Sequence, residues 1–215
     1  MKTASAELKP RKSPLQARAH ATKEALHDAA IQVLTREGLV SCTTTRIAER
    51  AGTSVGTLYQ YYPNRDALLA AVLQTRLRRV ADAIEDVCVR LHGARLEEMA
   101  VGLVGAFLEI KLGSPDATKA LFAIAAERGG AELVLKGNTQ MAASISDMLA
   151  SASDGRFANH AIAAAVALSS IIGSVRAVLE GYAPPGFEQN IREQLVSLVS
   201  AYFRSEAIRP LDPKI

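Results

Sequence analysis

Apolar residues recur three and four positions apart along most of the chain, the spacing that gives a helix one buried face. Ala25/Leu26, Ala29/Ala30 and Val33/Leu34 predict a first helix from about Thr22 to Glu37, with Gly38 as its stop. A short helix follows, N-capped by Thr43, whose inner residues are Ile47, Ala48 and Ala51. Gly52 sits where a sharp turn between two helices needs positive φ. Ser54 caps a second short helix, and Pro63 ends it because the residue before a proline avoids helical geometry. Two short helices, a glycine-containing turn and an abrupt stop spell a helix-turn-helix over residues 43–62. Asn64 then begins a long helix that runs to about Leu91. Its inner stripe holds Leu69, Val72/Leu73, Leu77, Val80, Ile84 and Val87/Cys88.

The same period continues beyond Gly93. One helix carries Leu96, Met99, Leu103, Phe107 and Ile110 and ends at Gly113-Ser114-Pro115. A shorter one covers Asp116 to Glu127, and another holds Val134, Met141, Ile145 and Met148, with Gly137 as a candidate kink. A long helix is expected from about Phe157 to Glu180, and a last one carries Ile191, Leu195, Leu198/Val199 and Tyr202/Phe203. No segment reads as a strand. The expected fold is all-α, an N-terminal three-helix DNA-binding domain joined to a larger helical domain. The divisions are a basic arm at 1–17, the helix-turn-helix domain at 18–80, the larger domain at 81–205 and a tail at 206–215.

Composition adds two things. Apolar residues make up 49% of the 215 positions, enough for a sizeable core. The net charge of +3 hides a split: residues 1–79 hold 13 Lys and Arg against 6 Asp and Glu, whereas residues 80–215 hold 12 against 16. One end is suited to meet a polyanion and the other is not. Cys42 and Cys88 have no metal-ligand spacing and are read as reduced thiols. Residues 1–20 lack the apolar core of a signal peptide, so a cytoplasmic location is expected. The uncharged run Ala161–Val175 is shorter than the roughly 20 residues a membrane span needs, and no membrane partner is expected.

The helix-turn-helix segment carries a more specific pattern. Thr43, Ile47-Ala48, Ala51-Gly52, Ser54, Gly56-Thr57-Leu58-Tyr59 and Tyr61-Tyr62 fall at fixed offsets, followed by Asn64-Arg65. Over residues 20–80 the chain thereby resembles the tetracycline-repressor (TetR) family of transcriptional regulators. It departs from the family pattern at Thr53, often valine there, and at Arg65, where the family usually has lysine.

The chemistry of the same residues fits double-stranded DNA. Thr43 and Thr44, at a helix N-terminus, suit a backbone phosphate. Ser54 and Thr57 offer hydroxyls, Val55 and Thr57 offer methyls for thymine, and Gln60 matches an adenine edge. Gly56 lets the second helix approach the groove closely. Tyr59 and Tyr61 can donate to phosphate, while Lys23, Arg46 and Arg65 suit the flanking backbone. Thr43 would cap its helix without DNA, and Tyr59 reads as half core. Lys9, Arg11, Lys12 and Arg18 make a basic arm that serves either as a solubilising tail or in the minor groove.

No catalytic constellation accompanies this segment. His20, His27, His92 and His160 have no histidine three or four residues away, and no H-E-x-x-H, G-x-S-x-G, P-loop or G-x-G-x-x-G occurs. Glu97-Glu98 reads as a solvated pair. No enzyme activity, cofactor or metal is expected. A single short recognition helix reads few base pairs, which favours a two-fold dimer on a palindromic operator. The resemblance implies a homodimer through the final two helices, about 157–180 and 187–204, although both would also serve as internal core. It further implies a small-molecule effector. Met99, Leu103, Phe107, Phe122, Met141, Ile145 and Met148 are the candidate lining of its pocket, and ordinary core packing accounts for that stripe nearly as well. A repressor released by an effector is the leading expectation; a constitutive or architectural DNA-binding protein with a filled core is the alternative.

Overall fold

A computed structural model describes residues 14–208 except Arg128, and their regular structure is helical apart from one small ribbon. The helices are α1 (Pro14–Ser41), α2 (Thr44–Arg50), α3 (Val55–Tyr61), α4 (Arg65–Arg90), α5 (Leu96–Leu112), α6 (Pro115–Ala125), α7 (Gly130–Ala150), α8 (His160–Glu180) and α9 (Phe187–Glu206). The chain divides into two compact units within α4, between Leu69 and Ala70. The boundary thus lies inside a helix and not in a linker. Lys9, Arg11 and Lys12 of the basic arm and positions 209–215 of the tail lie outside the described residues.

In the first unit, α2 packs on α1 and α3 packs on α2. Their shared core is Leu26, Ala30, Val33, Cys42, Ile47, Ala48, Leu58 and Leu68, each at most 3% exposed. The first helix begins at Pro14, well before the expected Thr22. Proline suits a first helical position because its missing N–H has no partner there anyway, and Ala17, Ala19 and Ala21 favour helix strongly. Gly38 does stop the regular helix, with φ at 77°.

The second unit is built around one apolar core contributed by α4, α5, α7, α8 and α9. α7 packs along α8, and α5 along α9. Three details differ from the sequence reading. Arg156–Phe157 forms a two-residue strand, β1, that pairs antiparallel with β2 (Ala207–Ile208). The strand exists because the Phe157 ring meets Phe203 edge-on, with centroids 6.1 Å apart, and draws the backbone alongside the end of α9. α8 consequently starts at His160, where the Asn159 side chain accepts from Ile162 N, and not at Phe157. Gly137 does not kink α7; it faces Leu77, which a Cβ added there would meet at 3.5 Å, an ordinary packing distance.

The Glu97-Glu98 pair is also more than a solvated patch. The Glu98 carboxylate accepts from Arg95 N at 3.0 Å, and Asp154 accepts from Leu96 N at 2.9 Å. Both satisfy donors that the first turn of α5 leaves open. Cys42 and Cys88 are free and buried, and burial pushes their thiols up to about 11 and about 12 respectively. Leu103 is fully buried at the centre of the second core. Leu103→Ala is expected to cost about 2–5 kcal/mol, because the fixed helices around it cannot collapse into the space. Urea unfolding checks this; a change below about 1 kcal/mol would mean that the site repacks.

Candidate DNA-binding interface

The two short helices are held by their caps and by a few buried side chains. Thr43, in extended geometry, accepts from Arg46 N at 3.3 Å. Ser54 accepts from Thr57 N at 3.0 Å, and the two hydroxyls share a further hydrogen bond at 2.9 Å. Gly52 turns the chain between the helices with φ at 68°, a conformation that would strain any side chain with a Cβ. Asn64 accepts from Ala67 N at 2.8 Å and starts α4. Within α3 only Leu58 is buried. The helix therefore faces inward on one residue and presents most of its remaining surface outward.

That outer surface holds Gly56, Tyr59 and Gln60, which are exposed, with Val55, Thr57 and Tyr61 half-buried at its margins. Gly56 and Gln60 are one turn apart and lie on the same side of the helix. The Tyr59 and Thr44 hydroxyls share a hydrogen bond at 3.3 Å, which brings the start of α2 to the face of α3. Lys23 of α1 lies over the Tyr61 ring, 5.6 Å from its centroid. Lys23, Thr44, Tyr59 and Tyr61 thus group around the recognition helix although they derive from three helices.

Two of the candidate cations carry partners within the protein. Arg46 pairs with Glu37, and Arg65 Nε donates to Asp66 at 2.9 Å. The sequence reading also missed two contacts that align this unit. His27 and the Tyr62 hydroxyl are 2.8 Å apart, and Tyr62 is buried, so burial raises the pKa of its phenol. Arg50 donates to Gln32 at 2.6 Å, which ties α2 to α1. Neighbouring residues on a helix point in different directions, which is the signal that could have assigned Tyr62 inward once Tyr61 was placed outward.

The second unit contains a cavity of about 460 Å³. Of the seven expected lining residues, Phe107, Phe122 and Met141 reach it. Met99, Leu103, Ile145 and Met148 are instead buried in the core of the unit and do not line it. They share a helical stripe with the lining residues, but a stripe gives only the inner side of a helix, not which neighbour fills the space beside it. Lys111 and Arg176 complete the lining as its charged members. Burial holds the Lys111 ammonium below the usual lysine range.

An exposed recognition helix on a cored helix-turn-helix unit, joined through α4 to a helical body, defines a DNA-binding regulator of transcription. Residues 26–72 match the model described as bacterial regulatory proteins, tetR family, and residues 96–203 match the tetracyclin repressor-like C-terminal domain. The chain belongs to the TetR family. The HTH-type transcriptional regulator YvdT of Bacillus subtilis (strain 168) is 36% identical over 70 residues, 33% of this chain and 34% of that protein. The match therefore spans only about a third of YvdT.

Among solved structures, a TetR family transcription regulator from Marinobacter aquaeolei VT8 superposes with a TM-score of 0.62 at 18% identity, covering 91% of this chain and 100% of that one. The SmeT–triclosan complex superposes with a TM-score of 0.67 at 18% identity, covering 91% and 96%. At such identities the likeness is one of fold.

Loss of the α3 cap is expected to be measurable in the isolated protein. Ser54→Ala should lower stability by about 1 kcal/mol, and Ser54→Gly by only a few tenths. Paired urea curves check the order; equal losses would show that the hydroxyl is not what holds the helix start.

Proposed function

We propose that the protein is a homodimeric repressor that binds a palindromic operator and leaves it when a small molecule occupies the cavity of the second unit. The observation that carries this reading is the cavity itself, in a chain whose first unit presents a recognition helix. A constitutive DNA-binding protein would need no such space. A protein of similar fold, SmeT, forms a complex with triclosan, which supports a small-molecule role for the body.

The dimer rests on α8 and α9. By length and composition α8 is apolar enough to cross a membrane, a property the shorter run Ala161–Val175 understated. Its inner face, Ala163, Ala167, Leu168, Ile171 and Val175, is packed into the core. From Ile162 to Gly173 its outer face carries Ile162, Ala165, Val166, Ser169 and Gly173, all exposed and none charged, and the stripe ends at the Arg176–Glu180 ion pair. Leu198 on α9 is 51% exposed as well. A helix apolar on both sides, one side already covered by its own chain, fits a partner of the same kind.

On DNA, Val55, Thr57 and Gln60 read base edges, while Thr43, Thr44, Ser54, Tyr59, Tyr61 and Lys23 hold phosphates. Gly56 admits the helix to the groove. Arg46 and Arg65 join them by exchanging Glu37 and Asp66 for phosphate. The coupling to ligand runs through α4, since Leu73, Leu77 and Val80 line the cavity and the first turn of the same helix carries Arg65. Release then depends on the ligand binding one conformation of the dimer better than the operator-bound one.

Two experiments test these parts separately. Val166→Glu combined with Leu198→Arg is expected to convert the dimer to monomer in sedimentation; a wild-type chain that sediments as a monomer at micromolar concentration rejects the dimer. With a site selected from random duplexes, Gln60→Ala should cost about 1–3 kcal/mol and relax preference at one position per half-site. Tyr61→Ala should weaken all sequences alike. An unaltered preference in Gln60→Ala sinks the assignment of that residue.

A further inference from the structure

We propose that the ligand of this cavity is an apolar monoanion, a carboxylate or equivalent group on a hydrocarbon body, and that Lys111 meets its charge. The inference deepens the reading of the cavity as an effector site and rests on it.

Among the described residues the lining contains no Asp or Glu. Its two charged members among those residues are both cations, Lys111 from α5 and Arg176 from α8. They are not equivalent. Arg176 donates to Glu180 at 2.7 Å, so its charge is already balanced. Lys111 enters no ion pair among the described residues, and its position one turn after Phe107 on α5 turns it toward the cavity. The rest of the wall is almost wholly aliphatic or aromatic, with Asn138 as the other polar member. A half-desolvated ammonium in such a wall is best matched by an anion, because each offsets the desolvation of the other.

A cationic ligand is disfavoured by the same geometry. Aromatic faces are the usual receptors for cations, but here the protein covers its own. Lys111 Nζ lies 5.8 Å from the Phe107 centroid, and Arg176 Cζ lies 5.5 Å from that of Phe122. A second cation would have to displace these groups and meet like charge with no carboxylate on the wall to offset it. The volume of about 460 Å³ falls within the roughly 300–1,000 Å³ typical of small-molecule sites, which leaves room for an apolar body beyond the charged head.

Decanoate, decanol and decylammonium form a matched series that varies the head and keeps the tail. Titration calorimetry on the full chain is expected to show decanoate binding about tenfold or more tighter than decanol, with decylammonium weakest. Lys111→Met should remove that preference and leave decanol binding as it was, whereas Lys111→Arg should keep it. Thermal unfolding reports whether each variant folds. Equal affinity for decanoate and decanol, or decanoate binding that survives Lys111→Met, overturns the charge assignment while leaving the cavity as an effector site. If none of the three binds, both readings fall.

Discussion

The burial of three side chains decides whether this protein has a DNA-reading surface at all. Helices α2 and α3 have seven residues each, well below the length at which a helix persists alone in water. Ile47, Ala48 and Leu58 are what they bury, and the caps at Thr43 and Ser54 satisfy the donors that such short helices leave open at their starts. Because so little is spent inward, most of α3 remains available outward. The exposure of Gly56, Tyr59 and Gln60 follows from the shortness of the helix as much as from its sequence.

The opposite situation holds for α8. Its residues are apolar or small on both sides, so its own fold can cover only one of them. A membrane and a second protein chain are the two environments that accept such a helix. The core packing of Ala163 through Leu179 and the uncharged outer stripe from Ile162 to Gly173, which ends at the Arg176–Glu180 pair, explain why length and hydropathy alone do not say what this helix packs against.

The cavity shows how local chemistry emerges from elements distant in sequence. Phe107 and Lys111 come from α5, Phe122 from α6 and Arg176 from α8. Phe107 and Phe122 each carry a cation from the same wall, and among the described residues only Arg176 of these two cations has a carboxylate to answer it. The polarity of the site is therefore a property of which helices face one another. No segment of the sequence contains it.

Taken alone, the sequence determined the helical class, the boundaries of most helices, the turn at Gly52 and both caps of the helix-turn-helix. These are encoded within a few residues, by apolar period, by the φ that glycine permits and by side chains that reach their own backbone. It also located the outward residues of α3, since one buried leucine sets the phase of a seven-residue helix. The tertiary structure alone decided the rest. It placed Tyr62 inward against His27, tied Arg46 to Glu37 and Arg50 to Gln32, and drew Phe157 into a strand beside α9. It also sorted Phe107, Phe122 and Met141 to the cavity and Met99, Leu103, Ile145 and Met148 to the core. Periodicity tells which side of a helix is buried. Only the packing of helices far apart in the chain tells whether that side meets another side chain or an open space.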